Sequence, residues 1–263
     1  MDVRDLVRGH YGSAGLSDAV LGALSGAGVD VSTLTPSDLI AVDQLHAGGA
    51  PATRHVLDRL GVRPGLKLLD VGSGLGGPAR MAGAQGADVT GIDLTPEFVE
   101  AANDLTKRTG LGDRVRFLTT PGEALPFDDG SFDAALMVHV GMNVPAKQAV
   151  FEQVHRVLSS GSTFAVYDQM STGQGEPTFP LPWAEDPRGS FLETGDDYRR
   201  HLESAGFHIE EIEDRTDAVL VPPPPGAIGP GDIFGPAFLA GVGNYVAAAR
   251  AGLVRATLIL ATA

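Results

Sequence analysis

LLDVGSGLGGPAR, residues 68–80, reads as a short apolar strand that turns through glycines into a helix. Gly72, Gly74, Gly76 and Gly77 form the turn, where a missing Cβ lets the backbone take positive φ and approach a ligand closely. The spelling alone is ambiguous. Gly72, Gly74 and Gly77 fit the GxGxxG of nicotinamide and flavin sites, whereas Gly72, Gly74 and Gly76 fit a GxGxG. A second feature narrows the reading: Asp93 ends the next apolar run about twenty residues on, where a carboxylate accepts hydrogen bonds from ribose hydroxyls. Turn and acid together predict a nucleoside cofactor.

Outward from this segment the apolar runs repeat. Residues 66–71, 87–93, 115–118, 132–140 and 163–168 are short, glycine-bounded and separated by helix-like or loop segments. That alternation predicts a parallel α/β sheet. Later runs at 208–213 and 253–263 predict two further strands, the last one buried on both faces. Helices are expected from Thr95-Pro96 to Arg108, along the Val150, Phe151, Val154, Val157 and Leu158 face, and from a Thr194/Asp197 capping box to Gly206. Before the core, Leu16, Val20, Leu21 and Leu24, the Thr35-Pro36 start and the Val56, Leu57, Leu60 spacing mark an amino-terminal helical segment, 1–61. Residues 62–218 read as the core. Residues 219–250, with Pro222–Pro225 and GAIGPGDIFGP, read as a lid loop leading into a helix near Phe238–Arg250, and 251–263 as the last core strand.

Composition limits the chemistry. The chain has 263 residues, 43% of them hydrophobic, and no cysteine, which removes disulfides, thiolate metal sites and thiol nucleophiles. No metal site is expected. A formal charge of −14 repels phosphate backbones and anionic lipid surfaces, so neither nucleic acid nor membrane is an expected partner. The first residues, MDVRDLVRGHYGS, lack the apolar stretch of a signal peptide, and a cytoplasmic location is the expectation. The sequence carries no signal for oligomeric state.

Taken with DQLHAGG (43–49), GIDLTPEFV (91–99), GEALPFDDGSFD (122–133) and FEQVHRVLSSGSTFAVYD (151–168), the glycine segment resembles the class I S-adenosylmethionine-dependent methyltransferases. The resemblance is to their small-molecule, type 11 group, which includes quinone-biosynthesis C-methyltransferases and betaine-forming N-methyltransferases. It implies a Rossmann-like, seven-stranded, mostly parallel sheet with the last strand antiparallel, S-adenosyl-L-methionine as cofactor with S-adenosyl-L-homocysteine as its product, and a small organic acceptor. It also implies roles. Asp70, Gly72, Ser73, Gly74 and Gly76 would hold the methionine end, Asp93 the ribose, Leu94 one face of adenine, and Gly122, Glu123 and Ala124 its edge. Val138 and His139 would border the sulfonium, with Gln44 and Tyr11 contributing from the helical segment. One departure is Pro121, where many relatives carry an acid for the adenine amino group, so Glu123 or a backbone oxygen takes that place.

Methyl transfer asks a protein chiefly to align donor and nucleophile in a water-poor pocket. A general base is needed only where the nucleophile must lose a proton. Of the seven histidines, His139 at the carboxyl edge of the fourth strand and His46 in DQLHAGG are the expected catalytic pair. His55, His155, His201 and His208 read as structural or surface residues, and His10 has no assigned place. Three other readings stay open from sequence: a sulfonium-assisted cyclisation or rearrangement, a nicotinamide-dependent oxidoreductase, and a catalytically silent cofactor-binding subunit.

Overall fold

The computed structural model describes residues 15–222, 224 and 226–263, so Tyr11 and His10 lie outside the described residues. Helices α1 (Leu16–Gly26), α2 (Pro36–Asp43) and α3 (Gly49–Arg59) precede β1 (Lys67–Val71). The chain continues through α4 (Gly77–Ala84), β2 (Asp88–Asp93), α5 (Pro96–Arg108), β3 (Val115–Thr119) and β4 (Phe132–Val138). It then forms α6 (Lys147–Val157), β5 (Leu158–Ser171), α7 (Gly195–Ser204), β6 (His208–Asp214), α8 (Pro230–Arg250) and β7 (Val254–Thr262).

Seven strands form one sheet in the order β3-β2-β1-β4-β5-β7-β6. Strands β1 to β5 are parallel, and β7 runs antiparallel between β5 and β6. This is the Rossmann-like arrangement expected from the sequence. Strand order reverses where β1 lies between β2 and β4, which opens a crevice at their carboxyl ends. Apolar side chains fill both faces: Leu68, Leu136 and Ala165 on one, Leu69, Ala135 and Val166 on the other, as the two-residue period of a strand requires.

Local signals explain the helix ends. Thr35 and Asp38 form a capping box with Pro36 at the first turn of α2, and Thr194 with Asp197 does the same for α7. Glu97 in the first turn and Lys107 and Arg108 in the last complement the dipole of α5. Three expected boundaries shift. The fourth strand stops at Val138, because His139 takes a φ of 55° and turns the chain out of the sheet. Leu158 belongs to β5, which runs well beyond the expected 163–168 because β7 pairs along it from Thr163 to Ser171. The helix expected near Phe238 begins at Pro230 and is broken at Gly235, whose φ of 78° interrupts the helical backbone.

The amino-terminal helices are fixed to the core by apolar and polar contacts. Leu16, Val20 and Leu24 of α1 share a buried cluster with Leu39 and Val42 of α2 and with Phe98 and Leu105 of α5. Beside it, Arg80 is 1% exposed and donates to Asp43 Oδ2 at 2.8 Å and to Thr106 Oγ1 at 3.0 Å, with the Leu75 carbonyl as a further acceptor. Breaking one partner of such a pair leaves a bare buried charge. Arg80→Met is therefore expected to lower stability by about 3–5 kcal/mol in urea unfolding, and adding Asp43→Leu to recover most of the loss.

Candidate functional site

A pocket of about 400 Å³ opens at the carboxyl ends of β1, β2 and β4. Its floor is the glycine turn, tied down by Gly72 N–H and Ser73 N–H, which both donate to the Ile92 carbonyl at 2.8 and 2.9 Å. The glycines do different work. Gly72 (φ 74°) leaves no room for a side chain, since a Cβ would stand 2.3 Å from Val140 Cγ2. Gly74 (φ 51°) faces open space, with Leu45 Cδ1 at 3.7 Å the only atom near such a Cβ. Gly76 (φ 83°) serves packing, because its Cβ would meet the Phe117 ring at 2.5 Å.

Two carboxylates face this turn. Asp93 Oδ2 accepts from Gly74 N–H and Oδ1 from Thr95 N–H, each at 2.9 Å, which locks the turn and the start of α5 to the end of β2. Each oxygen retains acceptor capacity, and Asp93 is only half-buried. Asp70 is 1% exposed, and its Oδ2, like the nearby Ser73 Oγ, has no hydrogen-bond partner among the described residues. Burial first, and then the Asp93 charge, push the Asp70 carboxyl up to about 7. Burial raises Asp93 as well. Unpaired buried polar atoms are costly in a folded chain, and here the residues that carry them line a cavity beside backbone that a ligand can approach. These groups fit the amino-acid and ribose ends of S-adenosylmethionine: oxygen acceptors for an ammonium and for two hydroxyls, and a cradle without side chains.

The other end of the pocket carries the two histidines. A strap formed by residues 43–47 brings Leu45 and His46 over the turn, and the His46 ring lies 5.6 Å from that of His139, centroid to centroid. Tyr167 closes the group, 5.1 Å from His139, and its hydroxyl donates to the Ala47 carbonyl at 3.3 Å. His46 has oxygen neighbours on both edges: Nε2 lies 2.9 Å from Thr53 Oγ1 and 3.1 Å from Gln44 Oε1, and Nδ1 3.2 Å from the Ala47 carbonyl. Burial lowers His46 to about 4, and burial with the neighbouring His46 takes His139 well below the ordinary imidazole range. Both rings are neutral at pH 7.

Asp70, Gly72, Ser73, Gly74, Asp93, Leu94, Gly122, Glu123, Val138, His139 and His46 all line this one pocket. Gly76, Gln44 and Ala124 do not. Gln44 lies buried behind the wall, its amide donating to Asp43 Oδ1 at 2.8 Å and its Oε1 accepting from the Thr53 hydroxyl at 2.6 Å. Ala124 is exposed, and its N–H closes a turn onto the Pro121 carbonyl. Sequence reasoning missed Asp43, Leu45, Val140 and Asn143 in the lining. The lone arginine in the apolar helix GPARMAGA was the available sign that an acid such as Asp43 must be close by.

His55 pairs with Glu213, His201 with Glu193, and His155 packs edge-on against Phe207. Among the described residues no group of three or more histidines and acids could hold a metal ion, and no helix is long and apolar enough to cross a membrane. Side chains at the turn have unequal costs. Gly74→Ala is expected to lose about 1–2 kcal/mol for its positive φ, and Gly72→Ala about 2–4 kcal/mol because the clash with Val140 adds to it, as read from denaturant midpoints.

The family model described as "Methyltransferase domain" matches residues 69–166. Methyltransferase GfsG of Streptomyces halstedii is 32% identical over 186 residues, covering 67% of this chain and 65% of that protein. Sterol 24-C-methyltransferase ERG6B of Gibberella zeae is 35% identical over 119 residues, covering 45% of this chain and 31% of that protein. The chain thus spans between 31% and 65% of the length of these two relatives. The crystal structure of the [4+2]-cyclase SpnF shares the fold, with a TM-score of 0.68 at 23% identity over 94% of both chains. The glycine turn, the sheet order and these matches identify residues 69–166 as a methyltransferase domain.

Proposed function

We propose that this protein transfers the methyl group of S-adenosylmethionine to an oxygen, nitrogen or carbon atom of a small organic acceptor. The observation that carries the reading is the pair of buried oxygens, Asp70 Oδ2 and Ser73 Oγ, that have no partner among the described residues and belong to residues lining a pocket at the strand-order reversal, beside the turn that Asp93 locks. In this reading Asp70 and Ser73 hold the methionine end, Asp93 the ribose, and Leu94, Gly122 and Glu123 the adenine. Val138 and His139 border the reacting centre under the roof formed by Leu45 and His46. The cofactor, when bound, supplies an activated methyl group. The residues align it, and their apolar neighbours exclude water. The −14 charge and a pocket of about 400 Å³ favour a small acceptor over nucleic acid.

Incubation with methyl-labelled S-adenosylmethionine and a panel of acceptors tests the reading. Formation of S-adenosylhomocysteine in step with labelled product is the expected result, and turnover without it would point to a rearrangement instead. Asp93→Ala is expected to weaken S-adenosylhomocysteine binding at least about tenfold in calorimetry, since a charged acceptor contributes about 1.5–3 kcal/mol. Unchanged affinity would contradict the ribose role.

Asp70 also gives the site a proton signature. A carboxyl raised to about 7 is about half protonated at pH 7, and a cation against Oδ2 favours its ionised form. Binding is therefore expected to release up to about half a proton at pH 7, and affinity to fall as pH drops below 7. Calorimetry in buffers of different ionisation enthalpy measures the release, which should vanish in Asp70→Asn.

A further inference from the structure

His139 is the one described residue other than glycine with a positive φ. Strain of that kind persists only where the surroundings enforce it, and here three contacts do. The His139 N–H donates to the Tyr167 carbonyl at 2.8 Å. Two residues on, Gly141 N–H donates to Asp168 Oδ2 at 2.6 Å, and Tyr198 holds the same carboxylate oxygen at 2.9 Å. The ring itself is fixed by Gln169, a fully buried residue whose Nε2 lies 3.0 Å from His139 Nε2. An amide NH2 can only donate, so His139 Nε2 must accept. A neutral imidazole has a single N–H, which is then on Nδ1.

The direction of donation therefore runs from Gln169 on β5 to the ring. Groups facing His139 from the other elements are His46 on the strap and Tyr167 on β5, and neither is an anion that would draw a second proton. His139 Nδ1 has no partner among the described residues, and the ring lines the pocket.

We propose that Gln169 is a positioning residue that holds His139 as its Nδ1–H tautomer, so that His139 offers the acceptor a hydrogen-bond donor and is not the base. The proposal rests on the methyl-transfer reading above and names the acceptor class: a molecule with a carbonyl, enol or phenol oxygen beside, or at, its nucleophilic atom. In the transfer, the acceptor's electron pair forms the new bond to the methyl carbon, and the carbon–sulfur bond breaks with its pair left on sulfur. The acceptor's proton, where it has one to lose, goes to water. His139 cannot take it, because Nδ1 is already protonated and Nε2 is engaged by Gln169.

The test uses the full chain, ¹⁵N-labelled and saturated with S-adenosylhomocysteine, in long-range ¹H–¹⁵N correlation at neutral pH, with His139 assigned through His139→Asn. The expected spectrum has a protonated, pyrrole-like Nδ1 and a pyridine-like Nε2 for His139. Gln169→Leu should mix the two tautomers while S-adenosylhomocysteine affinity is unchanged. Protonation at Nε2 in the native chain, or an unaltered tautomer in Gln169→Leu, overturns the proposal. A second arm offers labelled S-adenosylmethionine with a phenol, a cyclic 1,3-diketone, a tertiary amine and an isoprenoid alkene. Transfer to the phenol or diketone is expected. There His139→Asn, which keeps an N–H donor and tolerates positive φ, should stay within about tenfold of the native rate. His139→Ala should lose about tenfold or more. Transfer to the amine or alkene alone overturns the acceptor class, and so does equal loss in the Asn and Ala variants. No transfer to any of the four sinks the methyl-transfer reading itself, while the spectrum still decides the tautomer.

Discussion

The guanidinium of Arg80 reaches three separate pieces of the molecule at once: Asp43 at the end of α2, the Leu75 carbonyl inside the glycine turn, and Thr106 on α5. Because the charge is almost completely buried, these partners cannot be exchanged for water, and their spacing is set by one rigid planar group. The strap that roofs the pocket starts at Asp43. From there a polar chain runs through the Gln44 amide to Thr53 and His46, so the group holding the turn in place also places the ring at the far end of the cavity. Arg80 Nε has no partner among the described residues, a cost the geometry of the two NH groups imposes.

The same low dielectric governs the opposite wall. Asp70 and Asp93 are drawn together by adjacent strands, and both carboxyls are pushed up by burial. Two acids so placed destabilise the empty fold at neutral pH and reward a ligand that brings positive charge between them. The apolar faces of the sheet offset that cost, with Leu68, Leu69, Leu136 and Phe164 fully out of water. A binding site with unfavourable electrostatics is carried by a core with ample burial.

Much of this was legible in the residues. The run 68–80 gave strand, turn and helix because glycine clustering and apolar patterning agree there, and Asp93 followed from spacing along a β-α-β unit. Residues joined only by the fold were not legible. Arg80 and Asp43 are distant in sequence, and nothing in DQLHAGG tells which of its polar side chains faces the cavity: His46 does, whereas Gln44 lies behind it. The end of the fourth strand was misplaced because Val140 continues an apolar run that His139 has already turned aside. Gln169 carries no signal of its own in the sequence, since the residue it binds, His139, stands 30 positions away. The lid helix began earlier than its spacing implied, because Pro230 suits a first helical turn and Gly235 then disguises the period.

The order of the sheet bears on how the molecule is made. β7 leaves a ribosome after both of its neighbours, yet it lies between them, paired along β5 from Thr163 to Ser171 and with β6 on its other side. Until it emerges, β5 has an open edge and β6 has no neighbour. During synthesis the nascent chain therefore displays unpaired backbone beside apolar side chains, the condition under which chaperones bind and strands from other chains intrude. Joining β5 to β6 therefore requires β7 between them, through contacts distant in sequence from β5.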